Sequence, residues 1–197
     1  NNYKQSFKFL LMPFSKTEFP GLLVFDPKVF EDSRGYFFES YNQKLFSGDG
    51  VEINFVQDNQ ASSAFGVIRG LHFQNDPFAQ TKLIRVLSGK IIDAVVDIRK
   101  NSHTYGKAYT ILLSAENKKQ LLVPKGFAHG YSVISQTAEV FYKCDEFYHT
   151  ECEGGIAWND PALNIDWQIP ADRIIVSDKD QKYPPLENST HNFVFKG

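Results

Sequence analysis

With 197 residues and a formal net charge of −2, the chain is long enough for one well-buried core and short for two. Its 42% apolar and 22% charged residues are those of an ordinary soluble domain, and a pI of about 6.2 argues against the basic footprint of a nucleic-acid binder. No apolar run approaches the roughly 20 residues that a membrane span needs, so neither nucleic acid nor membrane is expected as a partner. The 18 Phe, 9 Tyr and 2 Trp suit a β-rich core and can stack on flat ligands. Cys144 and Cys152 match no C-x-x-C spacing, which points to a reducing, cytoplasmic setting without a disulfide framework.

Residues 1–16 read as an N-terminal extension. Lys4 and Lys8 precede Phe9-Leu10-Leu11, too short an apolar stretch for a secretory signal. The only methionine is Met12, so the first eleven residues read as upstream or vector-derived. Leu22 to Phe25 is a strand stopped at Asp26-Pro27. Glu31 to Gly35 is a polar turn and Tyr36 to Tyr41 an aromatic strand. Asn42 to Phe46 is one helical turn, and Ser47 to Gly50 a loop. Val51 to Gln57 alternates as a strand, closed at Gln57-Asp58-Asn59, which reads as a polar turn or as polar groups presented to a ligand. Leu83 to Leu87, Ser88-Gly89 and Lys90 to Arg99 give a hairpin signal. Within it Ile92, Ala94, Val96 and Ile98 share one face, while Asp93, Asp97 and Arg99 share the other. Thr110 to Leu113 is a strand, and Ser114 to Lys119 a short helical turn with a serine cap. Gln120 to Val123, Pro124-Lys125-Gly126 and Phe127 to Ile134 form strand, turn and strand. Ala138 to Asp145 is a strand with Val140, Tyr142 and Cys144 on one face. No sustained helical period and no repeat is present. The pattern predicts an all-β fold, an antiparallel jelly roll or cupin-like β-sandwich with a few short helices. A single domain is expected over 17–189, with a frayed tail over 190–197.

Arg69-Gly70-Leu71-His72-Phe73-Gln74, followed by Lys82, gathers two cations, an imidazole and an amide. Arg69-Gly70 breaks a strand pattern, and His72 between two apolar residues faces away from them. A single titratable group lowered into a pocket is how a general base is built, although a core histidine with one hydrogen bond fits the same pattern. His129, in Gly126-Phe127-Ala128-His129-Gly130, is similarly lowered. A buried Tyr142 phenol could donate a proton across a pocket. Arg69 and Lys82 could hold an anion or a developing oxyanion. Ser177-Asp178-Lys179-Asp180 reads as a solvated loop. With no His-x-His among five histidines, no metal and no other cofactor is expected.

Taken together, these motifs resemble the dTDP-4-dehydrorhamnose 3,5-epimerase family. The matching segments include Asp32-Ser33-Arg34-Gly35-Tyr36-Phe37-Phe38-Glu39, Phe55-Val56-Gln57-Asp58-Asn59, Arg69 to Gln74 and Gln80-Thr81-Lys82-Leu83. Pro124 to Gly130, Tyr142-Lys143-Cys144, Trp158-Asn159-Asp160-Pro161 and Ser177 to Asp180 follow in order, and the similarity runs from about Thr17 to Pro185. The resemblance implies a metal-independent jelly roll, usually a homodimer, that converts dTDP-4-dehydro-6-deoxy-D-glucose to dTDP-4-dehydro-L-rhamnose. It implies His72 as base, Asp180 as its orienting partner, Tyr142 as proton donor and Lys82 beside the C4 oxygen. It further implies that Arg34, Glu39, Gln57, Asn59, Arg69, His129, Glu153 and Lys179 bind the nucleotide sugar and that Tyr148 stacks on thymine. In the family, the segment bearing Arg34 and Glu39 reaches the neighbouring subunit's site. Other readings stay open: a 3- or 5-mono-epimerase of another 4-keto-deoxysugar, a metal cupin, or a sugar-nucleotide binding module.

Overall fold

The computed structural model describes residues 13–48 and 50–197. Phe14–Lys16 (β1) pairs with Leu23–Phe25 (β2), so the end of the expected extension belongs to a sheet. The extension up to Met12, and Asp49 of the expected loop, lie outside the described residues. Phe30–Asp32 (β3) and Gly35–Phe37 (β4) form a separate, solvent-exposed hairpin, shorter than the expected aromatic strand. Gln43–Gly48 (α1) starts where Asn42 Oδ1 accepts from the Lys44 and Leu45 N–H groups, a side-chain N-cap. It buries Phe46 against Phe14, Phe25 and Tyr41.

Residues 51–56 are not a strand, contrary to expectation; pairing begins at Gln57–Ala64 (β5), where a turn was expected. The alternation rule fails here for a physical reason. The inward residues Gln57, Asn59 and Ser63 of β5 are polar, so the strand lacks an apolar face. The remaining strands are Val67–Gln74 (β6), Lys82–Ser88 (β7), Lys90–Asp97 (β8), Ala108–Ser114 (β9) and Gln120–Val123 (β10). Phe127–Val133 (β11), Thr137–Cys144 (β12), Glu153–Gly155 (β13) and Ile175–Val176 (β14) complete them.

One sheet runs β1-β2-β10-β7-β12-β5 and the other β13-β6-β11-β8-β9, with β14 joining β6 in parallel. The two sheets form the expected jelly roll. The expected β7–β8 hairpin does not exist, because the two strands lie in different sheets; the same holds for β10 and β11. Ser88-Gly89 and Pro124 to Gly126 are arches between sheets. Turn chemistry is the same for an arch and a hairpin, and β8 is buried on both faces, so its pattern does not name the partner. Ser114 to Lys119 is a turn, not a helix, closed by the Asn117 N–H donating to Ser114 Oγ.

Ile84, Val86, Ile91, Val95, Leu121, Val133 and Val140 fill the space between the sheets. The outer face of the second sheet, with Ile68, Leu71, Phe73, Ala94 and Val96, is covered by Ile156, Leu163, Trp167 and Phe193. The tail, expected to fray, is therefore pinned: Phe193 is buried, and Lys100 exchanges backbone hydrogen bonds with Phe193 and Phe195. Asp97 on β8 accepts five hydrogen bonds, three from Arg99 and one each from Ser102 and Thr104. Burial opposes its charge, but these donors outweigh it and hold the carboxyl below its ordinary range. Asp97→Ala is expected to destabilise the fold by about 3–5 kcal/mol in chemical denaturation, since it strands the buried Arg99. The sign in pH follows from the depressed value. The wild-type contribution is complete above the unfolded carboxylate pKa near ~4 and is lost as pH falls through the lower folded one.

Candidate active site

A cavity of ≈ 250 Å³ lies between the sheets, lined by Gln57, Asn59, His72, Phe73, Gln74, Gln80, Lys82, Tyr142, Tyr148 and Glu153. One wall is β6. Gly70, at φ +121, meets Gly130 where β6 and β11 shift register, and a Cβ on Gly70 would lie 2.5 Å from Gly130 Cα. Beyond this break Leu71 and Phe73 enter the apolar outer layer and His72 turns to the cavity. His72 Nε2 lies 2.8 Å from Asp180 Oδ1, and Asp180 Oδ2 accepts the Gly70 N–H at 3.1 Å. Asp180 opens a 3₁₀ turn, Asp180–Lys182, and its own N–H donates to Ser177 Oγ. The loop read as solvated therefore buries its aspartate. Burial penalises that carboxylate, but His72, the Gly70 N–H and Ser177 more than offset it and depress its pKa. An ionised Asp180 fixes the proton on His72 Nε2 and leaves Nδ1 as the basic nitrogen.

The facing wall belongs to the other sheet. Tyr142 is paired with Asn59 and Ile84, and Cys144 with Gln57 and Lys82, so these side chains share one face. Lys82 Nζ is 6.0 Å from the Tyr142 ring centre. Burial pushes the Tyr142 phenol up to about 12, with Cys144 and Tyr131 adding to it and Arg69 opposing. Burial pulls the Lys82 ammonium down, against Cys144, Glu153 and Asp93. Gln57 Nε2 donates to Asn59 Oδ1 at 3.0 Å, and Gln57 Oε1 accepts the Tyr148 N–H.

At the rim, Glu153 accepts from Tyr148 Oη and Lys179 Nζ. Burial works against the Glu153 carboxylate, yet those two donors lower its pKa. Gln74 holds the segment carrying Tyr148, donating to Phe78 and Phe147 carbonyls and accepting the His149 N–H. The structure thus brings His72, Asp180, Lys82, Tyr142, Gln57, Asn59, Tyr148, Glu153 and Lys179 together. His129, opposite His72 in the β6–β11 pairing, is buried, paired with Asp93 and outside the cavity lining. Arg69, opposite Tyr131, is also outside that lining, with Nε donating to Ser63 Oγ. Arg34 and Glu39 do not join this cavity: Arg34 pairs with Asp32 on the exposed hairpin, and Glu39 accepts from Asn42. Among the described residues, no group of three or more His, Cys, Asp or Glu side chains converges as a metal shell.

The family model for dTDP-4-dehydrorhamnose 3,5-epimerase matches residues 16–188. The chain belongs to this epimerase family. It is 52% identical over 166 residues to the dTDP-4-dehydrorhamnose 3,5-epimerase of Shigella flexneri, covering 84% of this chain and 91% of that one. The crystal structure of the Elizabethkingia anophelis enzyme matches with a TM-score of 0.84 at 49% identity, covering 89% and 96% of the two chains. The Legionella pneumophila epimerase, solved with dTDP-4-keto-L-rhamnose, matches with a TM-score of 0.85 at 41% identity, covering 89% and 93%. This chain is accordingly an isomerase.

Sequence reasoning assigned no role to three groups around the cavity. Tyr183 lies over Gly155 with its ring 5.7 Å from His72, and no motif announces it. Gln80 ties the rim to Glu146. Asp93 carried a readable signal, a charge inside the apolar run Ile91-Ile92-Asp93-Ala94-Val95-Val96.

Proposed function

We propose that this chain inverts C3 and C5 of dTDP-4-dehydro-6-deoxy-D-glucose to give dTDP-4-dehydro-L-rhamnose, in dTDP-L-rhamnose biosynthesis. One observation carries the reading: the His72–Asp180 pair and the Tyr142 phenol line one pocket from opposite sheets, with Lys82 on the Tyr142 wall. The C4 ketone acidifies the hydrogens on its neighbours. His72 Nδ1 takes one proton, the C–H electron pair forms the C=C bond, and the carbonyl pair moves to oxygen as an enolate. Lys82 stabilises that oxygen as its charge develops. Collapse of the enolate takes a proton from Tyr142 on the opposite face and inverts the carbon. A phenol at about 12 is fully loaded at neutral pH, as a proton donor must be. Proton transfers alone balance this reaction, so no cofactor is invoked.

Gln57, Asn59, Arg69, His129, Glu153 and Lys179 hold the nucleotide sugar in this reading, and Tyr148 stacks on the base. Arginine suits the diphosphate because its planar fork meets two oxygens at once. Arg34, in the hairpin turn, and Glu39, just after the hairpin, do not line their own pocket. We assign them to the pocket of a second copy in a homodimer. Solvent exposure of Phe30, Tyr36 and Phe37 on that hairpin supports this. The unpaired Cys144 and Cys152 accord with a cytoplasmic enzyme.

The test is an NMR assay in D₂O with the 4-keto substrate and no reductase. Deuterium entering both C3 and C5 is the expected result. Deuterium at a single carbon would make the chain a mono-epimerase, and no exchange would remove this substrate from consideration.

A further inference from the structure

We infer that Tyr183 is a positioning residue for the base: its ring, seated on Gly155, props the His72 imidazole so that the His72–Asp180 hydrogen bond keeps one geometry. The inference rests on the reading of His72 as the base. Its starting point is what surrounds that imidazole. His72 Nε2 meets Asp180 Oδ1 at 2.8 Å, and the Tyr183 ring centre lies 5.7 Å from the His72 ring centre at an interplanar angle of 66°. This is close to the edge-to-face arrangement that aromatic pairs prefer. The hydrogen bond alone does not fix the imidazole. The χ2 torsion of a histidine is broad, so a ring held at one nitrogen still tilts about that contact. A rigid neighbour against its flank removes that freedom.

The fold gives Tyr183 a fitted seat. Gly155 is the residue opposite His72 where β13 pairs with β6. A Cβ on Gly155 would lie 2.5 Å from Cγ and Cδ2 of Tyr183, so the ring fills the space that a side chain would take. Directly paired residues carry their side chains on one sheet face, which puts the seat beside the imidazole. Tyr183 caps the 3₁₀ turn that Asp180 opens, so a single turn delivers both groups to the same ring. That turn is fastened on each side. The Asp180 N–H donates to Ser177 Oγ, the Lys182 N–H to the Lys179 carbonyl, and the Ala157 N–H to the carbonyl of Pro184 just after Tyr183. Ser189 Oγ donates to the Gly155 carbonyl and steadies the seat from below. Tyr183 does not line the cavity, so it acts through His72 and not on the sugar.

The test reads the imidazole and turnover in the full-length protein. Histidine labelled with ¹⁵N in the ring is followed by NMR, with the His72 signals assigned from His72→Ala. Tyr183→Ala is expected to broaden or shift those signals, because the imidazole gains room to tilt. Its kcat should fall roughly 10–10²-fold, the scale of a small misplacement in a site, while KM and dTDP affinity stay within a few-fold. Tyr183→Phe keeps the ring and should recover most of that loss. Gly155→Ala unseats the ring and should lower kcat in the same way. Added to Tyr183→Ala it should cost nothing further, since the space is then empty. Wild-type kcat in Tyr183→Ala overturns the inference, as does a fall in kcat with the His72 signals unmoved. A loss in Tyr183→Phe as large as in Tyr183→Ala would assign the effect to the hydroxyl, and a rise in KM alone would make Tyr183 a binding group; either overturns it. Fully additive losses in the double variant do the same. Should Tyr183→Ala fail to fold, Tyr183→Leu takes its place. Wild-type protein inert toward the 4-keto sugar would refute the proposed function, while the NMR comparison still judges whether Tyr183 holds the imidazole.

Discussion

His72→Ala is expected to lower kcat by roughly 10²–10⁴-fold while dTDP binding stays within a few-fold of wild type. The reason lies in where the contacts are. His72 touches Asp180 through Nε2 and lines the cavity, whereas the groups proposed to hold the nucleotide, Gln57, Tyr148, Glu153 and Lys179, are tied to one another at the rim. Removing the imidazole leaves that rim intact. Asp180 keeps the Gly70 N–H and Ser177, so the bend that shapes β6 retains its anchor. Isothermal titration with dTDP and a coupled rate assay check both halves. In D₂O the variant should leave C3 and C5 unlabelled. Lost dTDP affinity with turnover preserved would contradict the role assigned to His72.

The parts of the fold that the sequence disclosed are those where one physical pressure acts alone. On one face of β8 and one of β12 the buried residues are mainly apolar, and period-two reading placed Ala94, Val96, Val140 and Cys144 correctly. It failed on β5, where the inward face lines the cavity and is polar, so Gln57 and Asn59 looked like a turn. It failed again at Ser88-Gly89, where a tight turn changes sheets rather than reversing within one. The site shows the same division. Gly70 beside His72 announced a re-aimed side chain, because only a residue without Cβ tolerates the approach of Gly130. Asp180 could not be paired with His72 from spacing, since 108 residues separate them and the loop around Asp180 is otherwise exposed. Resemblance supplied that pair. Arg34 and Glu39 mark a further limit, because a single chain leaves them outside its own cavity.

Tyr142→Phe separates the two faces of the sugar. The substitution removes one oxygen, and the Tyr142 hydroxyl has no hydrogen-bond partner among the described residues, so stability should stay within about 0.5 kcal/mol of wild type. The ring keeps its packing against the inter-sheet core and its place near Lys82. His72 can still remove a proton, and Lys82 can still hold the enolate. What is lost is the proton on the opposite face. Inverted product should fall roughly 10²–10⁴-fold, the usual worth of a positioned general acid. Deuterium exchange with retained configuration should survive, because His72 can return a solvent-derived deuteron to the face it came from. The ratio of exchange to inversion, read by NMR in D₂O, therefore rises well above the wild-type value. Equal losses in exchange and inversion would place Tyr142 in substrate positioning, and wild-type yield would remove it from the chemistry. If the ratio rises in Tyr142→Phe while exchange vanishes in His72→Ala, base and acid are assigned to opposite walls by two independent measurements.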